Sequence, residues 1–388
     1  MNIEWKILMN SFKVPRIRFK EFDVIWVEKR IADIVKISAG GDVDKIKLKE
    51  SGKYPVVANA LTNKGIVGFY DDYKVKAPAV TVTGRGDVGY AVARHENFTP
   101  IVRLLTLQSE NIDVDYLENQ INSMRILNES TGVPQLTAPQ LGNYKVYHPE
   151  IEEQSAIGSF FRTLDDLLVS YKDNLANYQS LKATMLSKMF PKAGQTVPEI
   201  RLDGFEGEWK KDTLEPYLTE SRISGDTGLT AKKITVKLWG KGVIEKEEKY
   251  AGSSNTQYFV RKAGQFIYSK LDFQNQAFGI IPNELDGYQS TLDLPTFDIQ
   301  NIDPKFLLEY VMRREFYEYQ GLIANGSRKA KRIHPEDFLV MPVRIPSLEE
   351  QQAIGSYFSN IANFINSYQE KISQIETLKK KLLQDMFI

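Results

Sequence analysis

Two long segments of this 388-residue sequence repeat each other, and this repetition limits the possible folds more than any other feature. Residues 149–190, PEIEEQSAIGSFFRTLDDLLVSYKDNLANYQSLKATMLSKMF, align without a gap to residues 346–387, PSLEEQQAIGSYFSNIANFINSYQEKISQIETLKKKLLQDMF, at an offset of 197. A shorter repeat joins VPRIRFKEFDVIW at 14–26 to VPEIRLDGFEGEW at 197–209, at an offset of 183. The chain therefore consists of two halves with one plan, each a variable segment followed by a matched tail.

Both matched tails carry apolar residues at seven-residue intervals, which predicts two long helices. Each would span ~40 residues and roughly 60 Å. One interpretation is that each helix packs on the core of its own domain. Because equivalent stripes occur in both halves, we instead expect the helices to pack against each other as an antiparallel pair. The residues expected at this contact are Ile157, Leu164, Tyr171, Tyr178, Met185, Ile354, Ile361, Tyr368, Ile375 and Leu382, flanked by Phe160, Leu167, Leu181, Tyr357, Phe364 and Leu378.

The helix ends carry recognisable signals. Ser347 followed by Glu350 predicts a capping box at the start of the second helix, and Pro191 predicts the end of the first. The variable segments contain short apolar runs such as AVTVTG and QFIYS, separated by Gly, Asn, Asp and Pro, which are typical of β-strands and turns. The predicted fold class is therefore α+β, with two β-rich pseudo-repeated domains joined by two long antiparallel helices. The expected ranges are a first domain at 14–148, a first spacer helix at 149–191, a second domain at 197–345 and a second spacer helix at 346–388.

The composition excludes several classes of site. The sequence has no cysteine, so disulfides, iron–sulfur clusters and Cys-based zinc sites are absent. Basic and acidic residues balance at 50 each, which argues against a wholly basic nucleic-acid binder without excluding local patches. The first residues lack the apolar core of a signal peptide, and no run of 18 apolar residues occurs, so we expect neither secretion nor a membrane span. We expect a cytoplasmic protein.

Gly84, Gly86 and Gly89 spell G-x-G-x-x-G directly after an apolar run, the pattern of a dinucleotide-binding turn. That motif requires a helix after the glycines, whereas the following YAVARHENFTP alternates like a strand. We therefore predict a hairpin turn in which the glycines supply positive φ.

Other enzyme signatures are missing from the sequence. It contains no phosphate-binding G-x-x-x-x-G-K-[ST] loop, no H-E-x-x-H and no G-x-S-x-G. His95, His148 and His334 have dissimilar surroundings, and we interpret them as structural or solvated. The trio Asp203, Glu208 and Lys210 resembles a nuclease metal site superficially, but a solvated turn explains it better. We expect no catalytic residue and no metal site in this chain.

Polar and basic loops at similar places in both halves favour nucleic-acid binding. The segment ANGSRKAKRIH has four basic residues and no acid, which suits contacts to phosphates, while amides and hydroxyls suit base edges. A solvated loop without function is the alternative for each. The candidate DNA-contacting residues are Thr83, Arg85, Asp87, Ser130, Thr131, Gln135 and Thr137 in the first half, and Ser269, Lys270, Gln274, Asn275, Asn325, Ser327, Arg328, Lys329, Lys331 and Arg332 in the second.

The motif P-x-x-EEQ-x-AIG-x-[FY]F, present twice, each time after a domain that opens VP-x-IR…F…W, closely resembles the specificity (S) subunit of type I DNA restriction–modification systems. The resemblance covers nearly the whole chain except residues 1–13. It implies two target recognition domains, each reading one half of a split, asymmetric DNA target, and a helical spacer that sets the gap between the halves.

The resemblance also implies that the chain has no catalytic activity or cofactor of its own. The expected partners are double-stranded DNA, two adenine-specific methyltransferase subunits that use S-adenosylmethionine, and ATP- and Mg-dependent restriction subunits, in the cytoplasm of a bacterium or archaeon. Two other hypotheses remain: a protein-only coiled-coil scaffold that does not bind DNA, and a nuclease in its own right.

Overall fold

The structure is a computed structural model that describes residues 5–7, 14–124, 126, 134–247, 253–323 and 332–388. Backbone contacts divide the chain into two compact units. The first unit comprises Met1–Asp173 together with Gln369–Ile388, and the second comprises Asn174–Tyr368. The mixture of strands with two long helices confirms the predicted α+β class.

The first unit consists mainly of short strands, with the amino-terminal part of one long helix and the carboxy-terminal part of another. Its strands are β1 (Trp5–Ile7), β2 (Ile17–Phe19), β3 (Val27–Arg30), β4 (Lys36–Ala39), β5 (Tyr54–Val57), β6 (Ile66–Tyr70), β7 (Ala79–Val82), β8 (Ala91–Arg94), β9 (Thr99–Pro100), β10 (Leu105–Gln108) and β11 (Lys145–His148). Its helices are α1 (Ile31–Ile34), α2 (Val114–Ser123), α3 (Ala138–Asn143) and the start of α4 (Ile151–Lys188). A 3-10 turn spans Thr62–Gly65.

The second unit has a similar composition of elements. Its strands are β12 (Lys210–Thr213), β13 (Leu218–Glu220), β14 (Ile223–Thr227), β15 (Ile234–Val236), β16 (Val243–Glu245), β17 (Gln257–Val260), β18 (Phe266–Tyr268), β19 (Phe278–Ile280), β20 (Gln289–Ser290), β21 (Thr296–Ile299) and β22 (Pro342–Ile345). Its helices are α5 (Pro304–Val311), α6 (Arg314–Gln320), α7 (Pro335–Leu339) and the start of α8 (Leu348–Asp385), with 3-10 turns at Phe273–Asn275, Asn283–Leu285 and Gly321–Ile323.

The central sheets of the two units have equivalent strand orders. The first is β4-β10-β7-β8 and the second is β13-β21-β18-β19, and all neighbours in both are antiparallel. In each unit the helix that follows the second strand of this order, α2 or α5, contributes buried apolar residues to the core beside the sheet. The repeat seen in the sequence of the tails therefore extends to the architecture of the variable segments.

Two short sheets bring together the ends of each variable segment. Strand β3 pairs with β11 in the first unit, and β12 pairs with β22 in the second, both antiparallel. Strands β3 and β12 are equivalent at the repeat offset of 183, and β11 and β22 are equivalent at the offset of 197. Each variable segment is therefore closed on itself just before its long helix begins.

An ion pair, fully buried in the first unit and partly buried in the second, connects the opening repeat to the first turn of each long helix. Arg18 binds Glu153 with Nε–Oε1 and Nη2–Oε2 distances of 2.6 Å, and Arg201 binds Glu350 at 2.8 and 2.7 Å. We call these pairs the Arg–Glu clasps. Both glutamates are 2% exposed. Each is the second glutamate of a repeated EEQ sequence, and this contact explains why that position is acidic in both halves. The predicted capping box is half correct, because Ser347 Oγ accepts the Glu350 N–H at 3.3 Å while the Glu350 carboxylate binds Arg201 instead.

The glycine of the repeated AIG sequence makes room for an N-capping aspartate. Asp113 caps α2 and Asp303 caps α5, each accepting an N–H at 2.8 Å. A Cβ on Gly158 would lie 2.3 Å from Asp113 Oδ1, and one on Gly355 would lie 2.5 Å from Asp303 Oδ1. The motif thus fixes the long helix against the variable domain in the same way twice.

The long helices run antiparallel in each unit. In the first unit Asp165 of α4 pairs with Lys379 of α8, and Lys172 pairs with Glu376 at 2.7 Å. In the second, the Tyr178 ring stacks on Phe364 at 5.1 Å and Tyr368 at 5.7 Å. Partner numbers fall as the α4 number rises, as the antiparallel prediction requires.

The predicted helix-pair residues divide between two kinds of contact. The residues nearest the helix starts pack into the domain cores: Ile157 and Leu164 with Leu382 in the first unit, and Ile354 with Met185 in the second. Tyr178 and Tyr368 contact each other across the helix pair, and Lys371 lies over the Tyr171 ring at 5.6 Å. Ile361 is buried and Ile375 is half-buried. One part of the stripe therefore contacts the domain cores, and another part contacts the neighbouring helix.

The flanking column of the stripe is only partly covered, and Phe364, whose ring stacks on Tyr178 across the helix pair, is still half exposed. Leu167, Leu181, Phe364 and Leu378 are each more than a third exposed. A two-helix contact buries one narrow seam, which leaves the neighbouring column in solvent. Within the described ranges, no helix combines the length and the apolarity that a membrane crossing requires.

Candidate nucleic-acid interface

The glycine-containing segment of the first unit is a hairpin turn, as predicted. Strands β7 and β8 pair antiparallel on either side of it, and Gly86 and Gly89 have φ of +77° and +88°. No helix follows the glycines, which excludes the dinucleotide-binding geometry for this motif. Thr83 is 5% exposed, and its hydroxyl donates to the Asp87 carbonyl and accepts the Tyr90 N–H, so it holds the turn closed. Arg85 and Asp87 are exposed.

A second candidate segment lies directly against this turn. The Leu136 N–H donates to the Gly84 carbonyl at 2.9 Å, and Arg85 forms an antiparallel bridge with Gln135. The exposed side chains of Arg85 and Gln135 are thereby brought to one place from positions far apart in sequence. Thr137 caps α3 by accepting the Gln140 N–H at 3.4 Å, which gives it a structural role.

The second unit repeats this arrangement. The Ile333 N–H donates to the Lys270 carbonyl at 3.1 Å, in the way that Leu136 donates to Gly84. Since Leu136 and Ile333 are equivalent at the repeat offset of 197, both units place their turn against the segment that precedes the last short helix. Arg332 is half-buried and lies 3.6 Å from Asp293.

Side chains in the turn of the second unit serve two purposes. Ser269 is 6% exposed and its Oγ accepts the Asp272 N–H at 3.2 Å, while Asn275 donates to Asp272 Oδ1 at 3.1 Å. These contacts shape the turn. Gln274 is exposed and Lys270 is half-buried, and partial burial lowers the Lys270 pKa from its usual value. Because a partly dehydrated ammonium gains more from an anion than a fully hydrated one, Lys270 is suited to phosphate.

Trp239 belongs to the same surface and was not predicted. It is 57% exposed and has φ of +60°, an unusual conformation for a bulky residue. Its N–H donates to the Asn275 carbonyl at 2.8 Å, and the next N–H, of Gly240, donates to the Gln276 carbonyl at 3.0 Å. The sequence signal was a tryptophan inside the glycine- and lysine-containing turn KLWGKG. An exposed indole fixed beside polar side chains can stack on a base or insert at a base step.

Several predicted residues cannot be placed. Ser130, Thr131, Asn325, Ser327, Arg328, Lys329 and Lys331 lie outside the described residues.

The residues that resemble a nuclease metal site, and the histidine His95, lie in exposed or ion-paired positions. Asp203, Glu208 and Lys210 are exposed, and Lys210 pairs with Asp212 at 2.6 Å. In the part of the chain that the structure describes, no group of three or more His, Asp or Glu side chains has metal-binding geometry. His95 contacts Asp115 at 2.8 Å. The described residues of the two turns offer hydrogen-bond donors, acceptors and cations for binding.

Comparison with known proteins supports the resemblance seen in the sequence. Residues 24–178 match the family model of the type I restriction modification DNA specificity domain. A protein of Mycoplasma pneumoniae described as a type I specificity subunit is 27% identical over 143 residues, which are 36% of this chain and 39% of that protein. A second from the same organism is 27% identical over 145 residues, or 47% of its length. These two matches therefore span less than half of either relative.

Two further comparisons cover nearly the whole chain. The type I restriction enzyme MjaVIII specificity subunit of Methanocaldococcus jannaschii is 22% identical over 425 aligned positions, covering 97% of this chain and 96% of that protein. The crystal structure of the type I restriction-modification system S subunit from M. genitalium superposes with a TM-score of 0.67 at 14% identity, over 97% of this chain and 99% of that one. The fold of the two structures is therefore the same. By the matched domain at residues 24–178 and by its fold, this chain is thus similar to the specificity (S) subunits of type I restriction–modification systems.

Proposed function

We propose that this chain reads an asymmetric, two-part DNA target, with one variable domain for each half, and that it carries no catalytic activity itself. The observation that supports the proposal best is the repeated pairing of a polar turn with a second segment, Gly84 with Leu136 and Lys270 with Ile333. The backbone arrangement is common to both units, whereas the side chains it presents differ. Two surfaces of one design with different donors and acceptors suit two different short sequences.

The helix pair is proposed to serve as the spacer and as the scaffold for partner subunits. Each long helix has 38 residues, or about 57 Å at about 1.5 Å per residue, and nearly two turns of B-DNA have a similar length. The exposed side chains of Leu167 and Leu378 in the first unit, and of Leu181 in the second, provide apolar surface for other chains. The partners proposed are two methyltransferase subunits and, in a complete system, restriction subunits. S-adenosylmethionine, ATP and Mg would then be bound by those partners.

An exchange of domains tests the proposal. Residues 14–148 are replaced by the corresponding segment of another specificity subunit, and the chimera is produced with its methyltransferase partner. Since the paired strands β3 and β11 both lie inside the exchanged segment, the exchange preserves the closure of the domain. The donor must supply an arginine for Glu153 and a capping aspartate beside Gly158. Modification-sensitive sequencing of genomic DNA should show one half of the methylated motif changed and the other retained.

The matched control replaces residues 197–345 and should change the other half only. A change in both halves after either exchange would refute the assignment of one domain to each half. Failure of the complex to shift any duplex DNA would favour the protein-only scaffold. Metal-dependent cleavage by the isolated chain would favour the nuclease.

A further inference from the structure

A cavity of about 640 Å³ lies in the second unit beside the residues that follow α4. Pro191, Pro342, Phe316 and Tyr319 give it apolar walls, and Lys211 and Arg344 add positive charge. Such a concave, mostly apolar site with a few fixed charged groups has the general character of a ligand pocket. None of its lining residues belongs to the turns of the candidate nucleic-acid interface.

Arg313, which also lines this cavity, is a buried cation stacked on aromatic rings. It is 8% exposed, and its guanidinium carbon lies 4.6 Å from the centre of the Phe190 ring and 4.1 Å from that of Tyr310. Its Nε donates to the Tyr310 carbonyl at 3.2 Å. Burial lowers the Arg313 pKa from its usual value.

Among the described residues, no carboxylate forms an ion pair with Arg313. Glu315, the acid nearest in sequence that lines the cavity, is exposed, and its charge offsets only part of the lowering of the Arg313 pKa by burial. A buried charge is expensive unless an opposite charge compensates it, and cation–π contacts provide only part of that compensation. A guanidinium also offers two parallel donors to a carboxylate, a geometry that a lysine cannot match. Arg313 is therefore suited to an anion that enters the cavity.

The wall of the cavity contains a second unfavourable charge arrangement. Lys211 of β12 and Arg344 of β22 stand directly opposite each other in the antiparallel register. Like charges at opposed positions destabilise a sheet, and an anion between them would reverse the effect. In the first unit the equivalent pair is Glu28 with Tyr147, which is not a pair of like charges. Two independent groups of cations thus face the same cavity.

The cations belong to the second half alone. Asp113 and Asp303 cap equivalent helices, so Arg313 corresponds to Ser123 and Tyr310 corresponds to Gln120. A feature required by the shared fold would be expected in both halves. Its presence in one half indicates a contact made at one place on the subunit.

We propose that this cavity is a docking site for an acidic peptide segment of another protein, in which a Glu or Asp side chain reaches Arg313 and adjacent apolar residues lie on the walls. A duplex DNA backbone fits less well, because it is broad and carries no apolar group, whereas Arg313 lies below the surface in a cavity with apolar walls. The proposal goes beyond the reading of DNA and does not depend on it.

Two peptide pools test the proposal with the full chain. One has the form acetyl-Φ-Φ-Glu-Φ-amide, where Φ is an equimolar mixture of Leu, Phe and Met, and the other has Gln in place of Glu. Retention is measured by equilibrium dialysis. Wild-type chain should retain the Glu pool about tenfold more than the Gln pool, equivalent to about 1.4 kcal/mol. Arg313→Met should abolish this preference, while Arg222→Met, at an exposed arginine of the same unit, should leave it unchanged.

A second variant keeps the test valid if Arg313→Met fails to fold. Lys211→Gln combined with Arg344→Gln alters only the edge of the cavity, and should reduce the preference for Glu several-fold. Equal retention of the two pools by wild-type chain would overturn the proposal, as would a preference that survives in both variants. Displacement of the Glu pool by a 20-base-pair duplex or by inorganic phosphate at equal concentration would assign the cavity to phosphate instead.

Discussion

Arg18 and Glu153 form a two-point ion pair in which both side chains are only 2% exposed, although 135 residues separate them in sequence. Trp26 Nε1 also donates to Glu153 at 3.2 Å, so the carboxylate receives donors from two positions of the opening repeat. Arg201 and Glu350 reproduce the ion pair in the second unit. The clasps therefore explain why VP-x-IR and EEQ occur together twice.

Breaking one clasp should destabilise its unit strongly. Arg18→Met leaves Glu153 charged and buried without its main partner, and removal of one member of a buried pair costs about 3–5 kcal/mol. The free energy of unfolding from urea titration measures the loss. Lys172→Gln is the control, because Lys172 is 54% exposed in its pair with Glu376, which is 51% exposed, and the change should alter stability by less than about 1 kcal/mol. The double variant Arg18→Met with Glu153→Met should recover much of the loss, and a double variant as unstable as the single would contradict a charge-based explanation.

The glycine of the AIG motif should not tolerate a methyl group. Gly355→Ala places a Cβ 2.5 Å from Asp303 Oδ1, so the capping aspartate or the helix must move. We expect a loss of about 1–3 kcal/mol from overpacking, despite the better helix propensity of alanine. Thermal unfolding measures it. Ser159→Ala, at an exposed position of α4, is the control and should change stability by less than about 0.5 kcal/mol. Unchanged stability in Gly355→Ala would contradict the argument that a Cβ at this position has no room beside Asp303.

Glu118 should make the stability of the first unit depend on pH. Burial, assisted by nearby Asp165 and Asp115 and opposed by Lys379, raises the Glu118 pKa from 4.5 to about 7. Between these values the folded chain holds a proton that the unfolded chain releases, so stability should fall as pH rises from about 4.5 to 7 and then level off. Glu118→Gln removes this penalty and should be more stable than wild type above pH 7, by no more than about 3 kcal/mol.

The comparison is made by urea titration at pH 5 and pH 8. Glu199→Gln is the control. Hydrogen bonds from Lys188 and Lys192 lower the Glu199 pKa, so the ionised Glu199 stabilises the fold at pH values above its usual pKa. This variant should therefore be less stable than wild type, the opposite of Glu118→Gln. A Glu118→Gln advantage that is the same at both pH values would refute the role of the raised pKa.

Two residues of the second unit should affect DNA binding in different ways. Lys270→Ala should weaken binding and reduce the slope of log affinity against log salt concentration by about one, since one phosphate contact is lost. Trp239→Ala should cost about 1–3 kcal/mol with an unchanged slope, since stacking releases no counterion. Fluorescence anisotropy of a labelled target duplex with the methyltransferase-bound chain measures both. Leu322→Ala, another exposed apolar residue of the unit, is the control for Trp239. An unchanged salt slope in Lys270→Ala would remove that residue from the phosphate contacts.

The helix spacing predicts the gap between the half-sites. An insertion of four residues into each long helix adds about 6 Å, equivalent to one or two base pairs. The methylated motif should then keep its half-site letters and lengthen its gap. A changed motif with the original gap would contradict the spacer hypothesis.

The candidate interface was predictable only in part. A polar side chain in a turn can either face a ligand or form hydrogen bonds with the backbone of the turn itself. The sequence located the turns after β7 and β18, and it identified Arg85 and Gln274, which are exposed. Thr83, Thr137 and Ser269 were predicted for the same reason, but their oxygens accept backbone N–H groups of their own turns. Which use prevails depends on backbone geometry that composition does not reveal.

Repetition and periodicity, which are properties of the sequence alone, determined the two halves, the α+β class and the positions of the long helices. A seven-residue stripe shows that a helix has an apolar face but does not identify what covers it. Only the tertiary structure decided that Ile157 and Ile354 pack into domain cores, that Tyr178 contacts Phe364, and that Leu167 and Leu378 stay exposed. It also decided that Gln369–Ile388 completes the first unit, where Phe387 packs on Phe161 at 5.9 Å. The reason is physical: burial and ion pairing depend on distances between residues far apart in the chain, and these distances are set when the chain folds.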